Sequence, residues 1–151
     1  MEEVTRVFAT VCLGLLAGAL LTEAAVLVPF WRSISRQTFS VLHEGVAPRL
    51  YAYFAPLTIA TVLLAATSGV VAVASEPMGA ADWLTIGSSV LAISLLGFYR
   101  LYFDRANRVL PELARNEDPT KLIAELQRWQ TIHNVRTGVC LASFVCAVFA
   151  L

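Results

Sequence analysis

The sequence contains none of the short motifs that identify the large soluble enzyme classes. It has no phosphate-binding loop, no G-x-S-x-G nucleophile motif and no glycine-rich dinucleotide fingerprint. It also lacks internal repeats, low-complexity segments and any basic patch with interleaved aromatic residues. The sequence therefore gives no indication of nucleotide-dependent chemistry, and we expect no nucleic-acid partner.

Cysteine is scarce, and its spacing does not suggest a framework. The three cysteines show neither CxxC nor CxxxC spacing, and all lie in apolar stretches: Cys12, Cys140 and Cys146. We predict that they are small buried side chains rather than parts of a disulfide or metal framework.

Histidine is scarcer still, with only two residues in the chain. His43 and His133 could in principle join Glu44 or Glu23 in a His-His-carboxylate metal set. No pair of ligands at i, i+3 or i, i+4 supports such a set, so we predict no metal site.

Apolar residues are abundant. They make up 58% of the 151 residues, with a mean hydropathy of +0.69, against about 45–50% in soluble chains. Four apolar stretches, 7–31, 51–74, 83–103 and 132–151, each reach the ~20 residues that cross a bilayer. The acidic start and the long first stretch are unlike a cleaved signal peptide. The sequence predicts a single all-α domain over residues 1–151, an up-down-up-down integral membrane four-helix bundle in the lipid bilayer.

Lysine and arginine are distributed very unevenly. Ten of the eleven lie around the first and third loops, whereas the N-terminal segment has only Arg6. The positive-inside bias therefore predicts that loops one and three are cytoplasmic and that both termini lie outside.

The first loop has helical periodicity of its own. Apolar residues and a histidine recur at i, i+3, i+4 and i+7: Phe39, Leu42, His43 and Val46. This pattern predicts a short cytoplasmic amphipathic helix on the membrane surface. Pro48 then suits the first turn of the second span, and Pro56 predicts a kink that frees a backbone carbonyl at a possible cavity wall.

The first span combines small residues with one carboxylate. Gly14, Gly18 and Thr22 form a stripe of small residues on which another helix could pack, within one bundle or between protomers of a homo-oligomer. Glu23 lies beside this stripe, and we expect it to face the bundle because a lipid-facing carboxylate has no partner.

Two helix starts can be read from the loops. Asp82 is a candidate cap of the third helix, and Asp118-Pro119 predicts a helix that continues unbroken into the fourth span. One face of that helix carries residues at spacings of three and four: Leu122, Leu126, Trp129, His133, Arg136, Cys140 and Phe144. We therefore predict that this face points inward.

Polar residues from several spans meet at the predicted cytoplasmic face. We predict a funnel with Glu23 at its floor and five further lining residues: Tyr51, Arg100, His133, Asn134 and Arg136. His133 could accept a proton and Arg136 could hold an anion. The alternatives are that interfacial arginines reach lipid headgroups, that tyrosines anchor the interface, and that His133 only joins helices by a hydrogen bond.

Several of these features together resemble the anthrone oxygenase family. The resemblance rests on a glycine-containing first helix that ends in a proline (Gly14, Gly18, Pro29), an Asn-x-x-Leu-Pro segment (107–111) and Trp129-x-x-x-His133-x-x-Arg136. It implies a small four-span membrane enzyme that oxidises anthrones, with Trp129, His133, Arg136 and Asn107 as important polar residues.

The chemistry that the resemblance implies needs no cofactor. An anthrone forms an enolate when a base removes its acidic proton, and the enolate can react directly with dioxygen. His133 would take the proton and Arg136 would stabilise the enolate oxygen, while a lipophilic small molecule could enter from the bilayer. The rival interpretation is a non-enzymatic subunit or binding module whose polar cluster is structural.

Overall fold

Four long helical stretches dominate the computed structural model, which describes residues 2–115 and 119–151. They are Glu2–Ser33, Arg36–Val73, Ala80–Arg115 and Pro119–Phe149, and each is long and apolar enough to cross a membrane. All regular secondary structure in those two ranges is helical. The predicted all-α, four-span membrane architecture is confirmed.

Two of the four stretches are interrupted by a π-helical turn. The elements in chain order are α1 (Glu2–Thr22), the first π turn (Glu23–Leu27), α2 (Val28–Ser33), α3 (Arg36–Val73), α4 (Ala80–Phe98), the second π turn (Tyr99–Phe103), α5 (Asp104–Arg115) and α6 (Pro119–Phe149). The N–H of Val28 donates to the carbonyl of Glu23, and the N–H of Asp104 donates to that of Tyr99. Both bonds span five residues, one more than in an α-helix.

The helices form a closed ring around the core. Helices α1 and α4 each pack against both α3 and α6. Fully buried apolar side chains fill the centre: Leu16, Leu20, Leu95 and Cys140. The described cysteines are free thiols; Cys140 is buried as predicted, whereas Cys12 and Cys146 are only half-buried.

Small residues bring α4 close to its neighbours. The hydroxyl of Ser89 donates to the carbonyl of Ala65 at 2.6 Å, beside Gly69 on α3. Ser88 and Ser143 donate to each other's carbonyls at 2.8 Å, which joins α4 to α6. Hydrogen bonds between helices at small residues are a general means of packing membrane helices. These bonds join α4 to α3 and α6 and do not involve the predicted stripe on α1.

The predicted stripe on α1 is only partly a packing surface. Gly14 lies against the ring of Phe144, whereas a Cβ at Gly18 would meet no atom of the described residues within 4 Å, and the hydroxyl of Thr22 bonds the Gly18 carbonyl of its own helix. Within the bundle the stripe therefore packs only at Gly14, and packing of the exposed Gly18 between protomers stays a prediction.

The predicted surface helix is not a separate element. Only Ile34 and Ser35 separate α2 from α3, and the Ser35 hydroxyl caps α3 by accepting from the N–H of Thr38 at 3.2 Å. The helix then continues past Pro48 and Pro56 to Val73. The side chain of Phe39 is buried in a cluster with Leu110, Ala114 and Leu122. The prediction is wrong because Phe39 packs on α5 and α6, and α3 tolerates both prolines.

The two helix starts predicted at Asp82 and at Asp118-Pro119 agree with the structure in part. Asp82 is the third residue of α4 and accepts from the N–H of Gly79 at 2.8 Å, so it caps the helix from within its first turn rather than from the N-cap position. Its other oxygen is paired with Arg6, which also donates to the carbonyl of Ala150 at 3.3 Å. Helix α6 runs unbroken as predicted, and its predicted inward face is buried or half-buried throughout. Asp118 lies outside the described residues.

Candidate functional site

A cavity of about 690 Å³ opens between α3 and the stretch formed by α4, the second π turn and α5. Its volume is typical of small-molecule sites, which occupy about 300–1,000 Å³. Apolar and aromatic side chains make up most of its wall: Val28, Trp31, Phe39, Leu50, Phe54, Ile59, Leu96, Phe103, Leu110, Leu126 and Trp129. Residues of α3 on both sides of Pro56 form part of this wall, which is where Pro56 predicted a cavity.

Two ionisable side chains line the inner part of the cavity. Glu23 begins the first π turn and its side chain is 12% exposed; Arg136 on α6 is 7% exposed. The two groups interact electrostatically, and the guanidinium lies 5.2 Å from the centre of the Phe103 ring. Nε of Arg136 has no hydrogen-bond partner among the described residues. A buried arginine on a cavity wall, with this one donor unpaired, is well suited to bind an anionic or strongly polarised oxygen.

His133 lies directly behind this wall and is fully buried. Its Nε2 is 3.1 Å from the carbonyl oxygen of Leu20. Because a carbonyl can only accept, Nε2 must carry the hydrogen, which leaves the lone pair of a neutral imidazole on Nδ1. Nδ1 has no hydrogen-bond partner among the described residues and lies 3.8 Å from Oε2 of Glu23.

Aromatic rings hold the plane of His133. The Trp129 ring is stacked on it, with centroids 4.8 Å apart and an interplanar angle of 11°. Phe103 presents its edge to both rings. The indole N–H of Trp129 donates to Oδ1 of Asn107 at 3.0 Å, so α5 fixes the ring that covers the histidine.

The predicted site residues divide into two groups. Five line the cavity: Glu23, Tyr51, Asn107, Trp129 and Arg136. Asn134 is exposed on α6, since one residue turns a helix by about 100° away from His133. The side chain of Arg100 is 83% exposed and 4.0 Å from Asp104. The predicted funnel is therefore wrong in these last two residues, and His133 stands behind its wall rather than on it.

Sequence analysis did not select two aromatic residues of the second π turn. Tyr99 lies on the wall 6.5 Å from the ring of Tyr51, and Phe103 contacts Trp129, His133 and Arg136. Their spacing of four residues to each other and to Asn107 was the available signal, because such spacing places side chains on one helical face.

The end of the cavity farther from Glu23 carries charged side chains. Glu44 on α3 pairs with Arg115 on α5, and Arg108 binds both carboxylate oxygens of Asp104 at 3.0 and 3.1 Å. His43 packs there against aromatic rings. Within ranges 2–115 and 119–151, no group of three or more His, Cys, Asp or Glu is placed to hold a metal ion.

Comparison with known families gave one match. The family model described as anthrone oxygenase matches residues 47–146, which is 100 of the 151 residues. The matched segment includes Asn107, Trp129, His133 and Arg136, but not Glu23 or Trp31. Neither curated proteins nor solved structures gave a match.

Proposed function

This chain belongs to the anthrone oxygenase family, and on that premise we propose that it is a membrane-embedded oxygenase acting on a lipophilic phenolic or anthrone-type substrate. Membership of the family suggests the oxygenase-like role. The single observation that carries the proposal is the pair Glu23 and Arg136 on the inner wall of a large, mainly apolar cavity. Such a cavity takes up a flat aromatic molecule and presents it with a carboxylate and a guanidinium.

The proposed reaction is balanced by the substrate and dioxygen alone. A base removes one proton from the CH₂ group of the anthrone and leaves the enolate. One electron passes from the enolate to dioxygen, and the resulting radical and superoxide combine into a peroxide, which takes up a proton. Loss of the second C–H proton then breaks the O–O bond and releases water. One oxygen atom remains as the new carbonyl, and the substrate supplies all the electrons.

The residues have separate tasks in this scheme. Arg136 stabilises the enolate oxygen, because its guanidinium lies on the cavity wall and its Nε has no hydrogen-bond partner among the described residues. The Glu23–His133 pair accepts and returns the proton. Trp129, Asn107 and Tyr51 line the path along which the ring system lies.

A rival proposal is that the polar cluster only joins helices. In that case its donors and acceptors should be bonded to neighbouring helices. His133 does bond α1 through Leu20, but Nδ1 of His133 and Nε of Arg136 have no hydrogen-bond partner in the described ranges. Unpaired polar groups beside a cavity favour a ligand-binding role over a purely structural one.

The test is aerobic turnover of an anthrone by the detergent-solubilised protein, followed by oxygen uptake. Arg136→Gln and a chelator-treated sample are run beside the wild type, and elution volume and helicity verify that the variant folds. Uptake that is lost in the variant and survives chelation supports cofactor-free chemistry. Uptake lost on chelation supports metal-assisted chemistry instead, and no uptake in any sample overturns the oxygenase proposal.

The proposed orientation places the cavity at the cytoplasmic side of a cell membrane. Arg32, Arg49 and most other cations lie at the same end of the bundle as the cavity, which the positive-inside bias assigns to the cytoplasm. Periplasm-active and cytoplasm-active reporters fused after Leu151 test this, since only the periplasm-active reporter should function. The exposed Gly18 face remains the proposed contact of a homo-oligomer, which cross-linking at Gly18→Cys would detect.

A further inference from the structure

We infer that Glu23, and not His133, is the catalytic residue that takes the proton from the substrate, with His133 acting behind it as a positioning residue. The inference rests on the proposed function, because it names the base of that reaction. Glu23 lies outside the matched segment 47–146, so the family match assigns it no role.

Access to the cavity separates the two residues. Glu23 lines the cavity, whereas His133 does not and has no exposed surface. The stacked ring of Trp129 covers one side of the imidazole, and the edge of Phe103 lies against it. A general base must come within hydrogen-bond reach of the proton that it removes. Of these two residues, Glu23 meets that condition and His133 does not.

The tautomer of His133 directs its free nitrogen toward Glu23. Nε2 is committed as a donor to the Leu20 carbonyl, so the remaining lone pair is on Nδ1. In the part of the chain that the structure describes, Nδ1 has no hydrogen-bond partner, and Oε2 of Glu23 lies 3.8 Å away. A small closure of this gap lets a protonated Glu23 donate to Nδ1. His133 can therefore orient the carboxyl group and hold the proton between the two proton-transfer steps.

Arg136 completes the arrangement on the cavity wall. It interacts electrostatically with Glu23 and lines the same cavity. Loss of a proton to Glu23 would place the new negative charge on the substrate beside the guanidinium. The base and the anion-stabilising group thus face one molecule from two different elements, the first π turn and α6.

Proton removal can be measured without oxygenation. Anthrone in D₂O without oxygen exchanges its CH₂ protons, and the catalysed rate is followed by proton NMR in detergent. The wild type should accelerate exchange, and Glu23→Gln should lose at least about 100-fold of that acceleration, the lower end for general base catalysis. Glu23→Asp should retain part of it. Glu112→Gln, an exposed carboxylate outside the cavity, is the matched control and should be unchanged.

The variant His133→Gln distinguishes contact from positioning. It should lower the exchange rate much less than Glu23→Gln, because the carboxylate remains. Exchange that persists in Glu23→Gln but disappears in His133→Gln would overturn the inference, as would a folded wild type that accelerates no exchange. Exchange without oxygen uptake would defeat the proposed oxygenase function and leave the assignment of Glu23 intact.

A second measurement keeps the inference falsifiable if Glu23→Gln folds poorly, because it needs only the conservative change Glu23→Asp. The protein has two histidines, so ¹⁵N-histidine labelling of His43→Asn gives the signals of His133 alone. The His43→Asn protein should show a hydrogen on Nε2 of His133. Adding Glu23→Asp should change the ¹⁵N chemical shift of Nδ1 and leave the hydrogen bond of Nε2 intact. An Nδ1 signal that does not respond to this change would overturn the pairing.

Discussion

The indole N–H of Trp129 donates to Oδ1 of Asn107 across α5 and α6 at 3.0 Å, which joins two of the three sequence segments on which the family resemblance was based. The bond fixes the indole ring, and the indole ring in turn covers His133. Asn107 therefore influences the histidine without touching it. This gives the Asn-x-x-Leu-Pro segment a structural task beside the cavity.

The Trp129–Asn107 bond should be measurable as a coupling energy. Trp129→Phe and Asn107→Leu should each lower the free energy of unfolding by about 0.5–1.5 kcal/mol, the net value of a typical hydrogen bond. The double variant should cost less than the two changes added together, because both remove the same bond. Unfolding in mixed micelles measures all three, and strict additivity would contradict the geometry.

Turnover should require the guanidinium group of Arg136 and not only its positive charge. Arg136→Gln should lower kcat by about 10²–10³, as for loss of one oxyanion donor elsewhere. Arg136→Lys should recover only part, because an ammonium lacks the planar fork of donors. Arg128→Gln on the same helix is the control, since Arg128 lies over Tyr102 and outside the cavity. Equal losses at both positions would indicate a general effect of removing a cation.

Gly69 should not tolerate even alanine. A Cβ there would lie 2.5 Å from Oγ and 2.8 Å from Cβ of Ser89. Separating α3 from α4 to make room should cost about 1–3 kcal/mol. Gly87→Ala is the matched control, because its Cβ would meet nothing within 4 Å, and it should stabilise by roughly 0.5–1 kcal/mol. Thermal unfolding of the two variants in one detergent tests the difference in sign.

The ion pair at the far end of the bundle should matter for stability and not for chemistry. Arg6 is largely buried and bonds Asp82, Glu2 and the carbonyl of Ala150. Arg6→Met should lower the midpoint of thermal unfolding, because it removes the ion pair and leaves the Asp82 carboxylate with the N–H of Gly79 alone among these partners. Adding Asp82→Leu should recover part of this loss. Turnover per folded molecule should stay constant through the series, and a change in kcat would show that the two ends are coupled.

The sequence predicted the spans and the inward face of α6 because these depend on hydrophobic length and helical periodicity, which packing does not alter. It could not predict where Asn134 and Arg100 point, since residues close in sequence at the end of a span still lie on different helix faces. Pro48 was expected to begin a helix. It lies within α3 on the cavity wall and is exposed. Trp129 and His133 are four residues apart on α6, so their spacing predicts that they meet, but the burial of His133 also depends on Leu20 and Phe103, which are distant in sequence.

The two π turns also bear on how this chain can be related to others. Each accommodates one residue more than α-helical pairing would. Deleting a single residue from either turn would restore α-helical pairing and rotate everything beyond it by about 100°. A deletion in the first π turn would move Trp31 off the cavity wall. A deletion in the second would break the hydrogen bond between Asn107 and Trp129. Single-residue gaps in alignments at these two places would therefore mark homologues whose interior is shaped differently, even where the Trp-His-Arg motif is unchanged.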